Sequence, residues 1–153
     1  MSQETPFTIH LEQAQDYQFK VQFDWDKAPD LLLDSGEPLG QSEGPDAERL
    51  IAAAIGYCLS ASLFFCMRNK FRQQPGKLSA MVTGLFTRNE RGRLRLGEFV
   101  VQIRLSDTQE RIAQLDRCAR QFEDFCIVTE SIRQGIPVRV QVVDATGRLI
   151  HES

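Results

Sequence analysis

The sequence predicts an α+β fold in which antiparallel sheets surround one long central helix, and three observations predict it. Apolar residues alternate with polar ones at Phe7, Ile9 and Leu11, at Tyr17 to Trp25, at Leu78, Ala80 and Val82, and from Phe99 to Leu105. That period of two belongs to half-buried strands. Between these stretches Leu50, Ile51, Ala54, Ile55, Cys58, Ser62 and Phe65 recur at steps of three and four, the period of a helix with one apolar stripe. The resulting order is three strands, a long helix, a hairpin, two helices and one or two strands, which segregates the layers. A chain of 153 residues predicts one domain, residues 1–153.

Each element has its own signals. The first two strands form a hairpin with a turn at Gln15-Asp16, and Leu31 to Leu33 add a short third strand. The polar, glycine-bearing stretch Asp34 to Gly44 is a loop. The helix spans roughly 46 to 72, with Pro45 in its first turn, Asp46 and Glu48 near its positive end, and Arg68, Lys70 and Arg72 near its negative end. Cys58 lies on the stripe facing the core, which shelters its sulfur. Pro75-Gly76 ends this helix. A hairpin follows, turning at Asn89 to Gly92, and its return strand shifts its apolar set from even positions (Leu94, Leu96) to odd ones at Phe99; a bulge at Gly97-Glu98 would restore one face. Asp107 with Glu110 three residues later resembles a capping box, starting a helix that carries Ile112, Leu115, Ala119 and Phe122. Another helix begins near Cys126 and closes at Gly135 and Pro137. Ile136, Val138, Val140 and Val142 then alternate as a final strand, with a turn at Asp144 to Gly147.

Composition removes several classes of function. A net charge of −3 leaves no broad basic surface, so no nucleic-acid partner is expected. The N-terminal residues lack the basic and apolar segments of a signal peptide, and Ser60 and Ser62 interrupt the apolar run at 50–67. The run therefore reads as a buried helix rather than a membrane span, in a cytoplasmic protein whose four cysteines rest as thiols. The two histidines, His10 and His151, lie near the termini, and no Cys-x-x-Cys or nucleophile-elbow pattern occurs. A zinc site and a Ser-His-Asp hydrolase are disfavoured.

Thiol chemistry remains. It needs one cysteine to attack a peroxide and a second to resolve the sulfenic acid as a disulfide. Cys58 and Cys66 stand eight residues apart in one helix, about 12 Å along its axis, and cannot be bridged. Cys118 and Cys126 share that spacing, but a helix break near Asp124 weakens the exclusion. Cys66 and Cys118 read as structural, as do Phe64-Phe65 and Phe122/Phe125, which read as core.

The run Gly44-Pro45-Asp46-Ala47-Glu48-Arg49-Leu50-Ile51-Ala52-Ala53-Ala54-Ile55-Gly56-Tyr57-Cys58 resembles the first-cysteine motif of the OsmC/Ohr family of thiol peroxidases, and Asp124-Phe125-Cys126-Ile127-Val128-Thr129 resembles its second. The resemblance implies an intertwined OsmC-like homodimer that reduces organic hydroperoxides, with Cys58 as nucleophile, Cys126 as resolving thiol and Glu48 at the position of the family's glutamate. It also implies a small dithiol such as dihydrolipoamide as reductant and no bound cofactor. Glu48 and Cys58 lie about 15 Å apart along one helix, so Glu48 would serve the partner's site. The family's activating arginine has no counterpart before Arg49, where only Lys20 and Lys27 are basic, and Ile127 replaces the proline usual after the second cysteine. These departures sustain a second reading: an OsmC-like protein that senses redox state or binds a small apolar ligand without turnover.

Overall fold

The protein, described by a computed structural model over residues 4–153, is α+β. Strands β1 (His10–Gln15), β2 (Gln18–Gln22) and β3 (Leu31–Leu33) precede helix α1 (Ala47–Phe65). Strands β4 (Leu78–Arg88) and β5 (Leu94–Leu105) pair next, helices α2 (Leu115–Gln121) and α3 (Ile127–Gln134) follow, and β6 (Gln141–Val143) pairs with β7 (Leu149–Glu152). The chain divides into two compact units, through both of which α1, β4 and β5 run: residues up to Gly56 with Ala80–Gln102, and Tyr57–Ser79 with Ile103–Ser153.

In the first unit β1, β2 and β3 form an antiparallel sheet in which Phe19 pairs with Leu33 and Val21 with both Leu11 and Leu31. The expected hairpin is there, with its turn at Asp16-Tyr17 and Asp16 in the left-handed region at φ 45°. Val21 is buried, whereas Phe7, Leu11, Phe19, Phe23 and Trp25 remain exposed. The loop after β3 is organised by one side chain. Asp34, 3% exposed, accepts hydrogen bonds from the backbone N–H groups of Ser35, Gln41 and Glu43 and from Gln18 Nε2. Burial pushes its carboxyl up, but these donors prevail and hold it below the ordinary carboxylate value.

Helix α1 begins one residue later than its proline suggests. Asp46 is the N-cap: its Oδ1 accepts the Arg49 N–H at 2.9 Å and its carbonyl the Leu50 N–H at 3.1 Å, leaving Pro45 before the helix. Gly56 is required by packing, because a Cβ there would stand 2.7 Å from Val82 Cγ2. The buried stripe is also displaced from the expected one. Ile55, Leu59, Leu63, Cys66 and Met67 are buried, while Ile51 and Phe65 face water and Cys58 is half-buried at the stripe's edge. The observed face is rotated by about one residue from the expected one, from Cys58 and Ser62 to Leu59 and Leu63.

From Cys66 to Lys70 the helix widens into a π-turn, in which the Phe71 N–H reaches the Cys66 carbonyl at 3.1 Å. With this extension, Ala47–Lys70 is long and apolar enough to cross a bilayer by length and composition. Its buried stripe nevertheless builds the core of the second unit, where Leu63, Cys66, Met67, Ile112 and Cys118 cluster with Phe71, Leu78, Ile103, Leu105, Leu115 and Phe122 against them.

The helix expected from Asp107 is absent. Asp107 Oδ2 accepts the Gly76 N–H at 2.5 Å and its Oδ1 pairs with Arg111 at 3.5 Å, so its carboxylate fastens the end of the α1 segment instead of capping. A short 3₁₀ turn, Gln109–Arg111, takes its place, and α2 starts only after Gln114, at φ 65°. In β5 the half-buried positions pass from Leu96 to Phe99, Val101, Ile103 and Leu105, the expected change of phase. The last strand is shorter than its alternation: Ile136, Val138 and Val140 precede β6 and are exposed, as are Phe65 and Phe125, which had read as core.

Candidate functional site

The second unit brings Cys58 and Cys126 together. Cys58 stands on α1 two turns before its π-helical end. Cys126 follows a 3₁₀ turn, Phe122–Phe125, and is itself the N-cap of α3, fully buried. Its backbone is extended (φ −81°, ψ 97°), as an N-cap requires. Its sulfur accepts the Thr129 N–H at 3.4 Å, and its S–H donates to Thr129 Oγ1 at 3.1 Å. Gly135, at φ 78°, closes α3 after two turns.

The electrostatics of Cys58 are a contest. Burial pushes its thiol up first, and the neighbouring Cys126 thiol adds to this as hydrogen-bond partner and as like charge. The backbone N–H groups of Val128 and Ile127, in the first turn of α3, pull it down. The balance is a thiol raised from its ordinary value, burial outweighing the donors of α3. Cys58 and Cys126 are both free cysteines, and as a pair they can close as a disulfide when an oxidant takes up two electrons.

Glu48 lies in the first turn of α1, ten residues before Cys58 on the same continuous helix, and is not joined to it. It lines a cleft of about 270 Å³ in the first unit, with Ile51, Phe86, Leu94, Leu96 and Arg95. Lys20, the nearest thing to a cation in the N-terminal strands, pairs at 3.7 Å with Asp30, both half exposed. The expectation of four resting thiols fails at one pair: Cys66 and Cys118 are disulfide-bonded, their Cα atoms 5.7 Å apart and both sulfurs buried. Each supplies the partner that neither neighbourhood in sequence revealed. Sequence reasoning also passed over Thr129, whose spacing of three from Cys126 is the N-cap to N3 spacing, and over Arg95, which lines the same cleft as Glu48.

A family model for OsmC-like proteins matches residues 40–141, two-thirds of the chain, and both cysteine runs fall inside it. No curated protein sequence matches. Among solved structures, an OsmC-like protein from Mycoplasma pneumoniae is similar with a TM-score of 0.68 at 15% identity, over 88% of this chain and 91% of that one. An OsmC-like protein of unknown function from Vibrio cholerae gives 0.67 at 16%, over 84% and 94%. The organic hydroperoxide resistance protein OhrB of Bacillus subtilis gives 0.60 at 14%, over 88% and 95%. At such identities the likeness is one of fold, and it coincides with the family match over the long helix and both thiols: the chain belongs to the OsmC-like protein family.

Proposed function

We propose that the protein is a cytoplasmic thiol peroxidase that reduces organic hydroperoxides through Cys58 and Cys126. The observation that carries this reading is the meeting of those two thiols at the start of α3. The Cys58 thiolate attacks the distal oxygen of the hydroperoxide, releasing an alcohol and leaving a sulfenic acid. Cys126 then attacks that sulfur, water leaves, and a disulfide closes. A small dithiol such as dihydrolipoamide returns both thiols and is itself oxidised. The apolar residues of α1 and α3 around the site favour an alkyl or lipid hydroperoxide over hydrogen peroxide.

We assign the activation of Cys58, which burial and the Cys126 thiol raise within one chain, to a second copy in an intertwined homodimer. The large apolar residues left in water, among them Phe19, Phe23, Trp25, Tyr57 and Phe65, supply the surface for that association. Glu48 and Arg95, which line one cleft, are the charged pair we assign to the partner's Cys58, Arg95 standing in for the arginine missing from the N-terminal strands. The test is thiol loss on titrating the reduced protein with cumene hydroperoxide and with hydrogen peroxide, with products identified by mass. Rapid formation of a Cys58–Cys126 disulfide, faster with the organic peroxide and lost in Cys58→Ser and Cys126→Ser, is expected. Arg95→Ala is expected to slow the reaction roughly hundredfold.

The raised Cys58 thiol favours one other reading, a redox-sensing or apolar-ligand-binding protein without turnover. Thiols that oxidise no faster than free cysteine would select it.

A further inference from the structure

The four cysteines form two pairs with matched spacing. Cys66 lies eight residues after Cys58 on one strand of structure, and Cys118 lies eight residues before Cys126 on the other. Along α1 eight residues cover about 12 Å. From Cys118 the chain passes through the last turn of α2 and the 3₁₀ turn Phe122–Phe125 and reaches Cys126 after the same eight residues. The two segments therefore run side by side in opposite directions as a ladder with two rungs. One rung is the buried Cys66–Cys118 disulfide; the other is the Cys58–Cys126 dithiol.

The closed rung sits at a soft place. Cys66 opens the π-turn, where the α-helical hydrogen-bond ladder of α1 is lost. Beside the disulfide, Gln121 Oε1 accepts Lys70 Nζ at 2.8 Å, Gln121 Nε2 donates to Cys66 Sγ at 3.6 Å, and Lys70 Nζ lies 5.5 Å from the Phe125 ring. From Cys118 the chain leads through the end of α2 and the 3₁₀ turn directly to Cys126, with no loop to absorb a displacement.

We propose that the Cys66–Cys118 disulfide is a positioning cross-link that sets the reach of Cys126 to Cys58. It rests on the proposed two-cysteine chemistry only in its use, since the geometry it fixes exists without a peroxide. With 0–2% exposure the bond is shielded from attacking thiols, so it stays closed while the second rung cycles.

The test measures closure of the second rung in a glutathione redox buffer, where two protein thiols and one glutathione disulfide give one protein disulfide and two glutathiones. Peptide mapping after alkylation reports each pair separately, and circular dichroism reports folding. In wild type, the Cys58–Cys126 couple is expected to titrate while Cys66–Cys118 remains oxidised. In Cys66→Ala/Cys118→Ala, the equilibrium constant for the Cys58–Cys126 disulfide is expected to fall about tenfold or more. Cys66→Val/Cys118→Ala, which restores apolar volume without the bond, is expected to recover folding but not that constant. If the Ala pair does not fold, this second variant decides the matter. A constant within twofold of wild type in a folded variant would overturn the proposal, as would Cys66 and Cys118 alkylated in native protein denatured without reductant. Absence of peroxide turnover with these results intact would sink only the peroxidase reading.

Discussion

At Cys126 a single residue serves three ends: it caps α3, donates to Thr129 and faces Cys58. Thr129→Val keeps the shape of the side chain and removes the Oγ1 acceptor, which leaves a buried thiol without its partner. A loss of about 1 kcal/mol in urea unfolding is expected, and slower closure of the Cys58–Cys126 disulfide with it. The Cys58 thiol has an equally direct check. Since the Cys126 thiol raises it, Cys126→Ala is expected to move the pH midpoint of Cys58 alkylation downward, while burial keeps part of the shift. A midpoint that stays in place would mean that the two sulfurs do not interact. The sign for stability follows from the same shift. Cys58 binds its proton more tightly folded than unfolded, so its contribution is complete below the ordinary thiol value of about 8.5 and declines as pH rises through and beyond it.

At the scale of elements, local pattern and tertiary competition divide what could be read in advance. Strands β1 to β3, the β4–β5 hairpin, α1 and the start of α3 were legible because each carries its own periodicity or cap. The start of α2 was not, because the carboxylate of Asp107 that would have capped a helix is taken by the N–H of Gly76, thirty-one residues away in sequence. The buried face of α1 was misplaced by one position because helical period fixes a stripe's spacing while packing partners fix its rotation. The Cys66–Cys118 bond had no local sign at all: its two ends are brought together only when the π-turn of α1 packs on α2. As a closure of 52 residues it is expected to contribute about 4 kcal/mol by restricting the unfolded chain. Comparing urea midpoints of the oxidised protein and its Cys66→Ala/Cys118→Ala variant checks this; a difference below about 1 kcal/mol would mean that the bond is inessential to the fold.

At the scale of the molecule, the candidate site was half legible. Both thiols stood in recognisable runs and the structure brings them together, whereas Glu48, in the first of those runs, lines a different cleft. The proposed homodimer predicts a sedimenting mass of twice 17.4 kDa at micromolar concentration. A charged substitution at an exposed apolar position such as Trp25→Glu is expected to shift that equilibrium toward the monomer, and sedimentation equilibrium measures it. The same variant should lose peroxide reactivity at Cys58 if the partner's Glu48 and Arg95 are needed there.

The segment between β3 and α1 is gathered by the Asp34 carboxylate together with backbone hydrogen bonds from Leu39 and Gly40 to Gly36 and from Ser42 to Ser35, and acid is expected to open it to cutting by removing the first of these holds. Asp34 contributes above the ordinary carboxylate value of about 3.9, and its contribution is lost as pH falls through its lower folded value. Protonation loosens its hold on the Ser35, Gln41 and Glu43 N–H groups at once, leaving the intervening backbone, with its exposed Leu39, held by its short-range turn bonds alone. An acid-active protease should then make its first cut between Ser35 and Glu43, and Asp34→Asn should be nicked there at a higher pH than wild type.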